Sequence, residues 1–163
     1  SFQNIQVADI SRVKDIMNRD MHTVLPDAPI EEIAAIIDDN DIQRVAVVDS
    51  SGKLLGLISD KDLLGIFADG HSPFWKLIVG KLSLTELAKQ HTSQSSVKAP
   101  SIARDVMHTE LITVGEDTGI DETIELMIEY AIKRLPVVDP GGKFLGMVSR
   151  DAVLRAGVTP KQL

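Results

Sequence analysis

Residues 13–67 can be laid on residues 103–157 without a gap, and the two stretches are identical at 18 of 55 positions. A self-match of this length constrains the fold more than any composition value, because a duplicated segment has to build the same elements twice. The identities are spread along its whole length. Asp15 and Met17 recur as Asp105 and Met107, and Thr23-Val24 recur as Thr113-Val114. Ile42, Arg44, Val47-Val48-Asp49, Gly52-Lys53, Leu55-Gly56 and Ser59 all reappear ninety residues later. The chain is an internal duplication.

Each copy reads as strand, helix, strand, strand, helix. After one helical turn at "RVKDIM", the stretch "HTVLP" is short and extended. "APIEEIAAIIDDN" places Ile30, Ile33, Ala34 and Ile37 at helical spacing, with acids in the first turn where the helix dipole favours them. "RVAVVD" and "LLGLIS" are β-rich runs joined by "SSGK", where glycine allows positive φ, and "DKDLLGIF" turns helical with Ser59 or Asp60 able to cap it. A unit of about 55 residues is small for an independent core. The expected fold is therefore α/β (α+β), with two pseudo-twofold repeats, 13–67 and 103–157, packed sheet to sheet. Residues 1–12 form an extension, 68–102 a partly helical insert and 158–163 a tail. In the insert, Ser83 stands three places before Glu86, the capping-box spacing, and "TSQSSVKAPS" is composed like a loop. Phe74 and Trp75 either close over the repeat core or offer a surface to a partner.

Charge and cysteine content narrow the function. A net charge of −7 argues against a nucleic-acid platform, which would show a basic face. There are no cysteines, which removes disulfides, thiolate metal sites and a cysteine nucleophile and fits a reducing compartment. No apolar run approaches a membrane span, and the start has no secretory pattern, so the expected location is cytoplasmic. The first residue is Ser1, as expected of a segment cut from a longer protein. The four histidines are scattered, and His108 with Glu110 make too small a set for a metal site. There is no Gly-rich phosphate loop ending in Gly-Lys.

The ordered phrases "DIM…TV…IEEIAAIIDDNDIQRVAVVD…GKLLGLISDKDLL" and "DVM…TV…IDETIELMIEYAIKRLPVVD…GKFLGMVSRDAVL" resemble a tandem pair of cystathionine-β-synthase-type (CBS) domains. The resemblance implies a regulatory module and no enzyme. Such pairs bind an adenosine-containing ligand (AMP, ADP, ATP or S-adenosylmethionine) in clefts between the copies. They pass its occupancy to an attached enzyme, channel or transporter, and they often form a flat homodimer. No required cofactor, nucleic acid or membrane insertion is implied.

The family phrase Gly-x-x-Ser/Thr-x-x-Asp opens the last helix of a copy, and its Asp takes the ribose. Gly56, Ser59 and Asp62 match it in full; read without the family, Ser59 is a helix cap and Asp62 a first-turn acid. In the second copy Gly146 and Ser149 match, but Ala152 stands in place of the acid. Asp151 falls where Lys61 stands in the first copy, turned by about 100° on the helix, so it does not substitute. For the phosphates the resemblance offers Arg44 and Arg134, preceded by Gln43 and Lys133, with Lys61 beside the first motif and Arg150 beside the second. Both arginines are equally readable as partners of surface acids. Adenine walls would come from His22 and Thr23, Ile112, Ile42 and Ile132, and the backbone at Leu57 and Met147; ordinary core is the competing reading for most of these. The cleft at Asp62 is then expected to combine Asp62, Ser59 and Arg44 with Ile112, Lys133 and Arg134. The competing function is a ligand-free interaction or dimerisation module, favoured by the damaged second motif and the apolar insert.

Overall fold

The run Arg44–Val48 is buried from Val45 onward, as a strand covered on both faces must be. In the computed structural model, which describes residues 11–68, 82–94 and 100–161, this run is β2, the middle strand of a sheet ordered β1-β2-β3. Strand β1, Thr23–Val24, runs parallel to it, and β3, Leu54–Ser59, runs antiparallel, with Arg44 opposite Ser59 and Val47 opposite Gly56. The hairpin turn is held by Asp49, whose Oδ1 accepts the amides of Ser51 and Lys53 at 2.9 Å, and it passes through Gly52 at φ 91°. Asp139 repeats this with Gly141 and Lys143, and Gly142 has φ 92°. Those recurring identities are turn chemistry.

Helix α1, Ile30–Asn40, buries Ile30, Ile33, Ala34 and Ile37, the four residues its periodicity singles out. Helix α2, Asp60–Ala68, follows β3 directly and buries Leu63 and Phe67. The insert contributes α3, Leu84–Gln94, whose Leu84, Leu87 and Ala88 join the same core as α1. It runs through Thr92, Ser93 and Gln94, which read as loop from composition. Its N-terminus is capped twice. Ser83 Oγ accepts the Glu86 amide at 3.1 Å, and Asp38 on α1 accepts the Leu84 and Thr85 amides at 3.3 and 2.7 Å. That second cap joins residues 46 apart and leaves no local signature. Phe74 and Trp75 lie outside the described residues.

The second repeat builds α5, Ile120–Tyr130, β4, Arg134–Val138, β5, Phe144–Ser149, and α6, Arg150–Lys161. Its hairpin register copies the first, down to the irregularity at Val137/Val138 that matches Val47/Val48. A single parallel bridge, Val114 to Val137, stands where β1 meets β2.

The two compact units are not the two sequence repeats. One unit holds residues 22–110; the other joins the residues up to 21 to those from 111 onward. Each unit therefore contains the opening turn of the other repeat. In the first unit, α4, Ala103–Val106, donates the Ala103 amide to the Ala28 carbonyl at 2.8 Å, and His108 exchanges both backbone hydrogen bonds with Leu57. In the second, the 3-10 turn Val13–Asp15 donates the Val13 amide to the Thr118 carbonyl at 2.9 Å, and Asn18 exchanges both with Met147. Val13 and Ala103 are fully buried. Asp15 and Asp105 each hold their own turn by accepting two preceding amides.

The glycine of the repeated phrase exists for this contact. A Cβ on Gly56 would stand 2.8 Å from the His108 carbonyl oxygen and from the Met107 side chain, and one on Gly146 would run into the Asn18 carbonyl. A backbone oxygen cannot step aside as a side-chain tip can. Gly146→Ala is expected to lower the urea midpoint by the equivalent of about 2 kcal/mol or more, while Gly65→Ala, exposed on α2 with open space around it, should raise it by up to about 1 kcal/mol through helix propensity. Asp38→Ala should cost about 1–2 kcal/mol as a lost helix cap, with hydrogen exchange rising first in α3.

Candidate functional site

Asp62 is the third residue of α2, and both of its carboxylate oxygens are in use. Oδ2 accepts the Ser59 amide at 2.8 Å while Ser59 Oγ accepts the Asp62 amide at 3.2 Å, a reciprocal capping box across the β3–α2 junction. Oδ1 lies 2.8 Å from Nε2 of His108. Burial works to raise the Asp62 pKa, but hydrogen bonds from His108 and from Ser59, with the attraction of the imidazole, outweigh it and hold the carboxyl below its ordinary range. The Asp62 side chain is 23% exposed and that of His108 66% exposed. The result is an ionised carboxylate fixed at a helix N-terminus and open to solvent on one side.

His108 is a residue that sequence reasoning set aside, as half of a pair with Glu110 too small for a metal site. It reaches Asp62 because its backbone is laid against Leu57, beside the gap left by Gly56. The available signal lay in the repeat itself. The counterpart of His108 is Asn18 and that of Asp62 is Ala152, so the two copies differ at both ends of one contact. In the second unit Ser149 Oγ still accepts the residue-152 amide at 3.2 Å, yet no carboxylate returns the bond. Asn18 turns its Oδ1 to the Asp20 amide at 2.9 Å instead. Asp151 is exposed on the first turn of α6 and takes no part in the ion pairs among the described residues.

The other expected residues divide between the units. In the first, the strand register sets half-buried Arg44 opposite Ser59, and the Gln43 carbonyl accepts the Asp60 amide at 2.8 Å, drawing Gln43 to the start of α2. Leu57 spends its backbone on His108, and the His22 carbonyl accepts the Ala46 amide at 3.0 Å. Thr23 and Lys61 are exposed, and Ile42 packs on the core. In the second unit Arg134 is exposed opposite Ser149, and the Lys133 carbonyl accepts the Arg150 amide at 2.7 Å. Met147 is buried, while Ile112 and Ile132 pack against that unit's core.

Two concavities within the units are unsuited to phosphate. One, of about 450 Å³, runs beside Ile42 and Gln43 and is lined by Asp38, Asp41 and Asp60; the other, of about 540 Å³, is lined by Glu116, Asp117, Glu122 and Asp139. Neither has a lysine or arginine in its wall, so each repels an anion. Among the described residues no three His, Asp or Glu side chains are placed to hold a metal ion, and no helix is long and apolar enough to cross a membrane.

The family model of the CBS domain matches residues 13–69 and again residues 103–159. The chloroplastic CBS domain-containing protein CBSX1 of Arabidopsis thaliana is 28% identical over 148 residues, covering 88% of this chain and 61% of that protein. The chain thus spans about three-fifths of that relative's length. An uncharacterised protein of Methanocaldococcus jannaschii is 28% identical over 155 residues, covering 91% and 92%. Among solved structures, CBSX2 of Arabidopsis thaliana in complex with AMP superposes with a TM-score of 0.65 at 25% identity, over 92% of this chain and 98% of that one. With two domain matches covering most of its length on a fold shared with CBSX2, the chain belongs to the CBS-domain family and carries the domain as a tandem pair.

Proposed function

We propose that this protein is a non-catalytic regulatory module that binds an adenosine-containing ligand, AMP, ADP, ATP or S-adenosylmethionine, with Asp62 holding the ribose, and that it passes occupancy to a fused or partner protein in the cytoplasm. The observation that carries this reading is the state of Asp62. A carboxylate can accept both ribose hydroxyls, and this one is ionised, oriented by its capping box and reachable from solvent. Arg44 stands across the strand from Ser59, close to the start of α2, and its guanidinium is a planar fork of the kind that suits phosphate oxygens. The AMP complex of CBSX2, 25% identical over nearly the whole chain, supports the ligand class.

A hydrolytic triad does not fit the same residues. In a triad the imidazole stands between hydroxyl and carboxylate; here the carboxylate stands between Ser59 and His108. A second reading, a protein-interaction or homodimerisation module, is favoured by one observation: Ile128, Tyr130 and Leu154 are 74%, 47% and 48% exposed on α5 and α6. The first unit has Asp38, Asn40 and Leu64 at these positions.

A thermal-shift and calorimetry screen with the four ligands separates the readings. A ligand at one hundred times its dissociation constant should stabilise the fold by about 2.7 kcal/mol. Asp62→Ala is expected to weaken binding by roughly tenfold or more, the size of a lost charge-assisted hydrogen-bond pair, and Asp151→Ala to leave it unchanged. Equal losses in the two variants would refute the assignment of Asp62, and no shift with any ligand would favour the interaction module.

A further inference from the structure

The imidazole of His108 sits on the carboxylate oxygen that the capping box leaves over. Oδ2 of Asp62 is committed to the Ser59 amide, and Oδ1 is engaged by Nε2 at 2.8 Å. We infer that His108 is a proton-linked gate on Asp62, so that the imidazole and the ribose of an adenosine-type ligand compete for Oδ1 and acid favours the imidazole. This inference rests on the reading of Asp62 as the ribose carboxylate.

Three features support a gate over a fixed structural pair. The His108 backbone is tied to Leu57 by two hydrogen bonds while its side chain is 66% exposed, so the ring can leave by rotation with the main chain in place. Asp62 stays ionised above its lowered pKa, whereas imidazole is the side chain whose charge ordinarily changes between pH 5 and 8. The second unit has Asn18 and Ala152 at the equivalent positions, so the gate and the group it guards are missing together. Other charged groups on the surrounding elements are Asp60 and Lys61 on α2, Arg44 on β2, Arg104 and Asp105 on α4, and Glu110 beyond His108. Burial acts to raise the Asp62 carboxyl pKa, the hydrogen bonds from His108 and Ser59 lower it, and the charge of His108 also acts to lower it.

The sign follows from proton counting. When the ring is protonated, the unliganded site, with imidazolium on carboxylate, holds a proton that the liganded site, with the ring displaced, gives up. Affinity therefore rises as the ring loses its proton and is constant once the ring is neutral. If the imidazolium instead held a ligand phosphate, affinity would rise on acidification.

The test is calorimetric titration of AMP into the wild-type chain, His108→Ala and His108→Asn at pH 5.5, 6.5, 7.5 and 8. Ionisation of the AMP phosphate is common to all three, so the ratio of dissociation constants at each pH isolates the histidine. The wild type is expected to bind roughly three- to tenfold more weakly than His108→Ala at pH 5.5, the range of one charge-assisted contact at a part-exposed position, with the ratio falling toward one at pH 8. His108→Asn, which takes up no proton, should hold a constant ratio to His108→Ala. A wild-type ratio that stays flat, or a wild type that binds more tightly in acid, overturns the gate while leaving an Asp62-dependent site standing. Binding of none of AMP, ADP, ATP and S-adenosylmethionine by any of the three proteins at any pH overturns the site and the gate together.

Discussion

The structure depends on a backbone contact that no side chain makes. In each unit a short segment from the other repeat lies against the outer edge of a hairpin strand, Leu57 with His108 and Met147 with Asn18, at a glycine whose missing Cβ lets the two main chains meet. An exposed strand edge is otherwise a row of unpaired donors and acceptors. Here the edge is closed by the chain itself. The same segments deliver Val13 and Ala103 to full burial, so neither core is complete with one repeat's residues alone.

The pairing of Asp62 with His108 is placed by this contact too. Asp62 lies on α2 and His108 lies 46 residues further along the chain; the closure at Gly56 brings them to 2.8 Å. One edge contact therefore both completes a core and sets a titratable ring beside the carboxylate. In the second unit the same closure forms with Asn18 and Ala152, which retain the architecture without the charges. Backbone pairing tolerates that change because it does not read side chains.

Local elements were legible because their signals are local. The 3.6-residue period names the buried face of α1, and the β-branched run names β2. The matched Asp49 and Asp139, and Asp15 and Asp105, stood out as identities, though their common task of binding backbone amides emerged only with the hydrogen bonds. Helix α3 runs past the point its composition suggests because Thr92 and Ser93 are weak helix formers that nevertheless continue it. Its start is capped by Ser83, as the spacing to Glu86 indicates, and again by Asp38, a cap supplied from another helix and therefore invisible in a window of neighbours.

By itself the sequence determined that the chain is a duplication, which elements the copies form apart from the opening strand of the second, reduced to a single bridge at Val114, and that only one copy keeps the acid of the shared phrase. Periodicity, turn residues and identity at a fixed offset are properties of residues near one another in the chain. The tertiary structure decided which unit receives each opening turn, and hence that His108 meets Asp62. Main-chain hydrogen bonds to a strand edge are available to any segment of the right length. The choice of segment is made by the path of the chain and by the two glycines that admit it.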